Sequence, residues 1–302
     1  MIDTHIHLVH FWFNGEFPYL SLKDGAYQIE RGTRDQLIAR LLSAGVECCI
    51  NPAMDILSNR ELLALAERMP DFLFVAIGVH PTRSFHYCRL DKHGNRIHYE
   101  LHWKERKELN RYAEHPSVVA IGETGLDYHI PEEEQHRFCQ KRWFLYQLKL
   151  AHKKHLPVIL HIREAHEDAL KMLKRHRKLL CGGVCHCFKG SVETASQYVS
   201  LGLKLGIGGS LLQNTPESKQ LEQTVAQMPL ENFLLETDGP FVKPECPELP
   251  DKQFAKARNT SLILPAVAKR IAQLKGISFD EVVRVTSENA VKLFGLPEKN
   301  GL

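Results

Sequence analysis

The sequence predicts an α/β protein, a (β/α)8 TIM barrel formed as a single domain over residues 1–302. Short runs rich in β-branched residues alternate with longer segments of helical periodicity along the whole chain. This alternation is typical of βαβ units and a parallel sheet, and eight such units favour a closed barrel over an open doubly wound sheet. No Gly-x-Gly-x-x-Gly motif follows the first predicted strand, which disfavours a dinucleotide-binding fold.

Eight segments are predicted as strands because they are short, apolar and rich in β-branched residues. In chain order they are Ile2–His7, Val46–Asn51, Phe72–Gly78, Val118–Gly122, Pro157–His161, Gly183–Cys187, Lys204–Ile207 and Phe233–Glu236. Helical periodicity predicts a helix in each interval and two more at the end of the chain. These helices are Thr33–Ala44, Ile56–Met69, His102–Glu114, Glu132–His155, Ala165–Leu179, Val192–Leu201, Ser218–Met228, Thr260–Lys275 and Phe279–Phe294.

Two predicted connections exceed the usual length of about two to six residues. Val9–Gly32 follows the first strand, and Pro81–Leu101 follows the third and is predicted to form a hairpin around Lys92-His93-Gly94-Asn95. Loops that follow strands build the active-site face of a barrel, so both are expected to overhang its mouth. The first connection is rich in aromatic residues, which include Phe11, Trp12, Phe13, Phe17 and Tyr19. Packing of an extra surface flap is the alternative role for them.

The composition is that of a globular protein, with 43% hydrophobic and 25% charged residues among 302. The net charge of +3 is too small for a bulk polyanion binder, so contact with nucleic acid should be local. None of the eight cysteines forms a Cys-x-x-Cys pair, which favours reduced thiols in a cytosolic protein. The sequence shows neither a membrane-spanning stretch nor a signal-peptide pattern. We therefore expect a cytoplasmic protein with no membrane partner, and a monomer by default.

Histidines and carboxylates stand where the predicted strands end. His5 and His7 are two residues apart, a spacing that points both imidazoles to one side of a strand. The other residues at strand ends are Glu123, His161, His186 and Asp238. A barrel places its catalytic groups at these ends, so the six residues together predict a metal site. Taken alone, each has an ordinary explanation; His161, for example, could be a satisfied core histidine.

Six ligands suit two divalent cations that share one bridging carboxylate. Such a pair can generate hydroxide at neutral pH and stabilise both the attacking and the leaving oxygen, chemistry that suits a phosphodiester. Asp238 is the best candidate for the proton acceptor, and plain metal ligation is its compatible alternative. The ligand set accepts Zn, Mn, Mg or Ni, so the identity of the metal stays open.

Six stretches of the chain carry a more specific signal. They are Asp3-Thr4-His5-Ile6-His7, Gly78-Val79-His80-Pro81, Gly122-Glu123-Thr124-Gly125-Leu126-Asp127-Tyr128, Leu160-His161-Ile162-Arg163, His186-Cys187-Phe188-Lys189-Gly190 and Glu236-Thr237-Asp238-Gly239-Pro240. Together they resemble the TatD-type metal-dependent deoxyribonucleases of the amidohydrolase-like superfamily, in order from residue 2 to about residue 295. The resemblance implies a (β/α)8 barrel with two divalent cations and nuclease activity, often 3′-to-5′ exonuclease activity on single strands.

The resemblance also implies roles for individual residues. It implies that His5, His7 and Asp238 hold one metal, that Glu123 bridges, and that His161 and His186 hold the other. Asp238 and Glu123 are thus the predicted catalytic residues. Contacts with substrate are implied for His80, Arg163 and Arg258.

Two basic residues have particular alternatives. Arg163 follows a ligand by two residues, so its guanidinium could reach the scissile phosphate, with a rim salt bridge as the alternative. Lys189 stands where the family usually has a serine, and it could contact phosphate or point to solvent.

The predicted function is therefore a metal-dependent hydrolase that cleaves phosphodiester bonds of DNA or RNA from a 3′ end. An ester or amide hydrolase of deacylase type on the same two-metal barrel is the first alternative. A phosphoesterase of the polymerase-and-histidinol-phosphatase type is disfavoured, because Asp238-Gly239-Pro240 lacks the Asp-x-His pair typical of such proteins. A non-catalytic assembly subunit is disfavoured by the complete ligand set.

Overall fold

The computed structural model describes residues 1–89, 100–129 and 134–297. Its strands are β1 (Ile2–Asp3), β2 (Phe17–Lys23), β3 (Ala26–Gly32), β4 (Cys48–Pro52), β5 (Leu73–Ile77), β6 (Cys88–Arg89), β7 (Glu100–Leu101), β8 (Val118–Asp127), β9 (Val158–Arg163), β10 (Gly183–Cys185), β11 (Leu203–Ile207) and β12 (Phe233–Leu235). Its α-helices are α1 (Arg34–Ser43), α2 (Ile56–Glu67), α3 (Trp103–Tyr112), α4 (Glu134–Lys154), α5 (His166–Arg175), α6 (Val192–Ser200), α7 (Pro216–Gln227), α8 (Asp251–Lys256), α9 (Leu264–Lys275) and α10 (Phe279–Phe294).

The predicted fold class is confirmed. An eight-stranded parallel sheet whose strands alternate with helices is the arrangement of a (β/α)8 barrel. The described residues form two compact units, the first comprising residues 1–51, 187–199 and 204–302 and the second residues 52–186 and 200–203. The assignment of residues 1–302 to one domain therefore stays a prediction. No helix in the described part of the chain is both long and apolar enough to cross a membrane.

The first unit contains the first and last strands of the sheet. Ile2 of β1 pairs with Cys48 of β4, and Leu205 of β11 pairs with Phe233 of β12, both in parallel register. The ends of β1 and β12 are joined by backbone hydrogen bonds, from Thr4 N to Leu235 O at 3.0 Å and from Asp238 N to His5 O at 2.8 Å. These bonds bring the residues that follow β1 next to the residues that follow β12.

The second unit contains β5, β8, β9 and β10, which pair in that order and in parallel. Helix α4 packs on β8 and holds it through two buried glutamines. Gln147 Nε2 donates to Thr124 Oγ1 at 2.7 Å, and Gln140 Oε1 accepts from Asp127 N at 2.8 Å. These side chains supply partners to polar groups that a buried strand would otherwise leave unpaired.

The first long connection folds as a hairpin that the sequence did not predict. Strands β2 and β3 pair antiparallel over seven residues each, and β2 also bonds to Arg258, whose N donates to Pro18 O at 2.9 Å. Three of the five aromatic residues named above are buried, as a packed flap requires: Phe13, Phe17 and Tyr19. Phe11 and Trp12 are exposed.

The short helix α8 (Asp251–Lys256) was not predicted, and most of the other differences concern element ends. Strand β8 runs to Asp127 rather than Gly122 because it pairs with β9 as far as Asp127 and Arg163. Strand β1 ends at Asp3, and its continuation to His7 keeps only an isolated bridge at Ile6. In the second connection β6 and β7 pair antiparallel, as a hairpin requires. Its predicted turn, residues 92–95, lies outside the described residues.

Candidate metal centre

A first group of ligands lies in the first unit and consists of His5, His7 and Asp238. The two Nε2 atoms are 3.2 Å apart, and Asp238 Oδ1 lies 3.6 Å from His5 Nε2 and 3.3 Å from His7 Nε2. Both histidines are buried. Two imidazoles and a carboxylate that converge on one point form a donor set suited to a zinc-like cation.

The backbone fixes this group from two sides. His7 N donates to Gly239 O at 2.7 Å and Asp238 N donates to His5 O at 2.8 Å, so the two segments are held in register. Asp238 has a left-handed backbone with φ of 54°, a conformation that Asp adopts more readily than most residues.

A buried carboxylate that sequence reasoning missed supports the same group. Asp3 accepts hydrogen bonds from Thr237 Oγ1 and Ser261 Oγ, both at 2.6 Å, and from His5 N at 3.2 Å. Burial raises the pKa of Asp3 to about 6, against the opposing effect of these hydrogen bonds. The sequence signal that could have identified Asp3 was its position two residues before His5, because this spacing places both side chains on the same side of an extended segment.

A second group lies in the second unit around Glu123. Glu123 Oε1 is 2.9 Å from His186 Nε2, 3.3 Å from His161 Nδ1 and 3.8 Å from His80 Nε2. His161 Nδ1 and His186 Nε2 are 3.0 Å apart. Glu123, His80 and His186 are buried. The donor atoms are again imidazole nitrogens and one carboxylate, which fits a divalent cation.

Asp127 orients His161 from behind and was not among the predicted site residues. Its Oδ2 is 2.9 Å from His161 Nε2, while His161 Nδ1 faces Glu123. Burial lowers the pKa of His161, but hydrogen bonds to Asp127 and Glu123 outweigh it and raise that pKa to about 9. A carboxylate on the far nitrogen of a ligating histidine fixes its tautomer and ring orientation. The contact of Asp127 with His161 was not predicted because the strand was predicted to end at Gly122.

The predicted substrate residues are divided between buried and exposed positions. His80 is buried, with its ring centroid 4.2 Å from that of His161, and burial lowers its pKa to about 3. The structure thus places His80 within the second ligand group. Arg163 and Lys189 are exposed, and Arg163 forms no salt bridge with any other described residue. The guanidinium of Arg258 lies 4.8 Å from the ring centroid of Trp12.

Comparison with known proteins decides the family. The model of the TatD related DNase family matches residues 2–295. The chain belongs to the TatD family. YjjV, a TatD homologue of known crystal structure from Escherichia coli K12, is 30% identical with a TM-score of 0.74, and the match covers 98% of each chain.

Two relatives are similar to this chain over most of its length. The uncharacterized metal-dependent hydrolase YabD of Bacillus subtilis is 32% identical over 97% of this chain and 98% of its own length. The 3′-5′ ssDNA/RNA exonuclease TatD of Erwinia tasmaniensis is 32% identical over 87% of this chain and 94% of its own length. The chain is a TatD-family metal-dependent hydrolase, as its motifs predicted. The number and identity of its metals, and the roles of individual residues, stay predictions.

Proposed function

We propose that this TatD-family hydrolase is a 3′-to-5′ exonuclease that acts on single-stranded DNA or RNA. The observation that carries the proposal is the His5, His7 and Asp238 group, whose two imidazoles and carboxylate meet within 4.8 Å of one another. The names of TatD relatives such as the Erwinia enzyme supply the substrate class. The proposed ligands are His5, His7 and Asp238 for one divalent cation and Glu123, His161 and His186 for the other. A bridging role for Glu123 stays a prediction of the family resemblance.

We assign proton transfer and phosphate binding to individual residues of the chain. Bound divalent cations would lower the pKa of water and neutralise charge that develops on a phosphodiester. The side chain of Asp238 is 14% exposed and remains accessible to water, so we assign it the acceptance of the proton from the attacking water. Arg163 and Lys189 are exposed cations, and we assign them contacts with phosphate oxygens.

His80 receives a different assignment from the one the motif suggested. Its burial and its distance of 3.8 Å from Glu123 Oε1 favour a role beside the second ligand group over contact with substrate. A separation of 3.8 Å is too long for a direct hydrogen bond, but the donor atoms of His80, Glu123 and His161 lie within 4.8 Å of one another. We infer that His80 adds a nitrogen donor to the second ligand group.

The test is cleavage of end-labelled strands by protein loaded with Mn²⁺ or Zn²⁺. We expect 5′-labelled single strands to shorten stepwise and 3′-labelled strands to release labelled mononucleotide at once, with duplex DNA cut more slowly. Asp238→Asn should lose most turnover, while Asp251→Asn, an exposed position on α8, should retain it. Turnover of aryl or aminoacyl esters without cleavage of any phosphodiester would contradict the proposal and favour the deacylase alternative.

A further inference from the structure

A groove of about 410 Å³ lies within the first unit beside the His7 and Asp238 ligands. Its lining includes Trp12, Phe241, Lys243 and Arg258. The ring centroid of Phe241 is 5.9 Å from that of His7, and Phe241 N donates to Asp238 O at 2.8 Å. The volume falls within the range of about 300–1,000 Å³ found for small-ligand pockets. A substrate strand attacked beside Asp238 would therefore have a cavity next to its reacting phosphate.

The aromatic part of the groove is a partly exposed stack. The rings of Trp12 and Phe241 are 5.3 Å apart, and His10 packs against both, at 5.1 Å from Trp12 and 5.0 Å from Phe241. Trp12 is 36% exposed and Phe11 beside it is 67% exposed. Burial of these rings would be favourable, and three other aromatic side chains of the same connection are buried. Exposed aromatic rings fixed by their neighbours are a platform on which a flat ligand can stack.

The polar part of the groove is cationic. The guanidinium of Arg258 lies 4.8 Å from the ring centroid of Trp12, and its Nε is buried without a hydrogen-bond partner among the described residues. Lys243 Nζ donates to Phe254 O at 2.6 Å and Ala255 O at 3.3 Å, both neutral acceptors. Neither cation forms a salt bridge within the described part of the chain. Their charge is thus left to attract an anionic ligand.

The hairpin of the first connection holds these parts in place. Arg258 N donates to Pro18 O at 2.9 Å, and Leu20 N donates to Arg258 O at 2.8 Å. The same connection carries Trp12, so one insertion positions both the ring and the guanidinium that lies over it. A site built in this way loses little conformational entropy when a ligand binds.

We propose that this groove binds one unpaired nucleobase of the substrate strand. The base stacks on the Trp12 and Phe241 rings, and Arg258 and Lys243 contact the adjoining phosphate. The inference rests on the proposed nuclease function and deepens it: a paired base is already stacked within its duplex, so the groove selects single strands.

Binding without cleavage tests the proposal. Metal-free protein in EDTA is titrated into a fluorescein-labelled eight-residue thymidine strand and into an all-abasic strand of the same length. Wild type should bind the thymidine strand more tightly, and Trp12→Ala should weaken that binding roughly ten-fold while leaving the abasic strand unaffected. Trp12→Phe should restore most of the affinity. Trp103→Ala is the matched control, since Trp103 on α3 is 54% exposed and lies outside the groove.

A salt titration tests the phosphate contact separately. Arg258→Ala should lower the slope of log affinity against log salt by about 0.7, the change expected for one lost contact with a single strand. Equal affinity of wild type for the thymidine and abasic strands would overturn the proposal. A loss of affinity in Trp12→Ala that is equal for the thymidine and abasic strands would also overturn it. So would a Trp12→Ala variant that binds the thymidine strand as tightly as wild type.

The two proposals can fail independently. If base-dependent binding through Trp12 is observed but the metal-loaded protein cleaves no strand, the exonuclease function fails and the groove stands. If strands are cleaved but Trp12→Ala binds thymidine as wild type does, the groove fails and the function stands. Circular dichroism of each variant excludes unfolding as the cause of a loss.

Discussion

The Asp127 and His161 pair gives the sharpest test of the metal centre. Asp127 makes two contacts, with Oδ2 2.9 Å from His161 Nε2 and Oδ1 accepting from His129 N at 3.0 Å. In Asp127→Asn the side chain has one acceptor oxygen and one amide group. If the oxygen accepts a hydrogen bond from His161, the amide NH2 faces the backbone N–H of His129, and two donors then face each other. If the amide faces His161, the imidazole proton must move to Nδ1, the nitrogen that faces Glu123.

In either orientation His161 loses its charged acceptor, and a hydrogen bond to a charged group contributes about 1.5–3 kcal/mol. At about 1.4 kcal/mol per ten-fold change, the expected loss of metal affinity is roughly ten- to hundred-fold. The same range is typical of changes to residues that orient metal ligands. The loss should fall on the cation of the second ligand group alone, because Asp127 contacts none of the ligands proposed for the first.

Calorimetric titration of metal-free protein with Mn²⁺ measures this loss. Wild type should bind two ions, and Asp127→Asn should show one weakened step and one unchanged step. Asp168→Asn is the matched control, since Asp168 is a carboxylate of the same unit that pairs with Tyr128 and Lys141 instead of a proposed ligand. If both steps of Asp127→Asn match wild type while its circular dichroism is unchanged, the reasoning is refuted.

Three further predictions concern stability and metal content. Burial raises the pKa of Asp3 from 3.8 to about 6, so Asp3 stabilises the fold most below pH 4. The stability of wild type relative to Asp3→Asn should therefore fall by about 2 kcal/mol between pH 4 and 7, which denaturant unfolding at the two pH values measures. In Gly125→Ala the new Cβ would lie 2.1 Å from His161 O with φ at +142°, so unfolding should show a loss of about 3 kcal/mol. Gly202→Ala, with φ of +80° and no atom of the described residues within 4 Å, should lose about 1 kcal/mol, and equal losses would exclude the clash as the cause. Dialysis against a chelator should abolish hydrolysis without unfolding the protein. His5→Ala should retain one of the two bound ions, which elemental analysis can count, and retention of both ions would show that His5 is not a ligand.

Much of this molecule follows from local patterns in its sequence. Alternation of β-branched runs with helical periodicity was enough to predict the barrel, because each strand and helix is specified by nearby residues. Histidines at strand ends were recognisable because parallel strands end on one face of a barrel. The family motifs added the order in which the ligands occur.

What escaped prediction depends on contacts between distant residues. The role of Asp127 appears only once β8 is seen to pair with β9 beyond Gly122. The hairpin of β2 and β3 escaped prediction because β3 carries the polar residues Gln28, Glu30 and Arg31, and because β2 bonds to Arg258, more than 200 positions away. For His80 the predicted contact with substrate stays a prediction, and the fold adds that its buried ring lies 4.2 Å from that of His161.

The two ligand groups are each supported by a carboxylate, but the two carboxylates make different contacts. Their loss should therefore affect different properties of the protein. In the first, the carboxylate of Asp3 bonds to the hydroxyls of Thr237 and Ser261 and to a backbone N–H, so it joins chain segments. It bonds to no imidazole nitrogen of the described residues. In the second, the carboxylate of Asp127 bonds directly to the imidazole of His161. Loss of the first carboxylate should therefore affect mainly the stability of the fold, since segments come apart. Loss of the second should affect mainly metal affinity, since the tautomer and orientation of His161 are then no longer fixed.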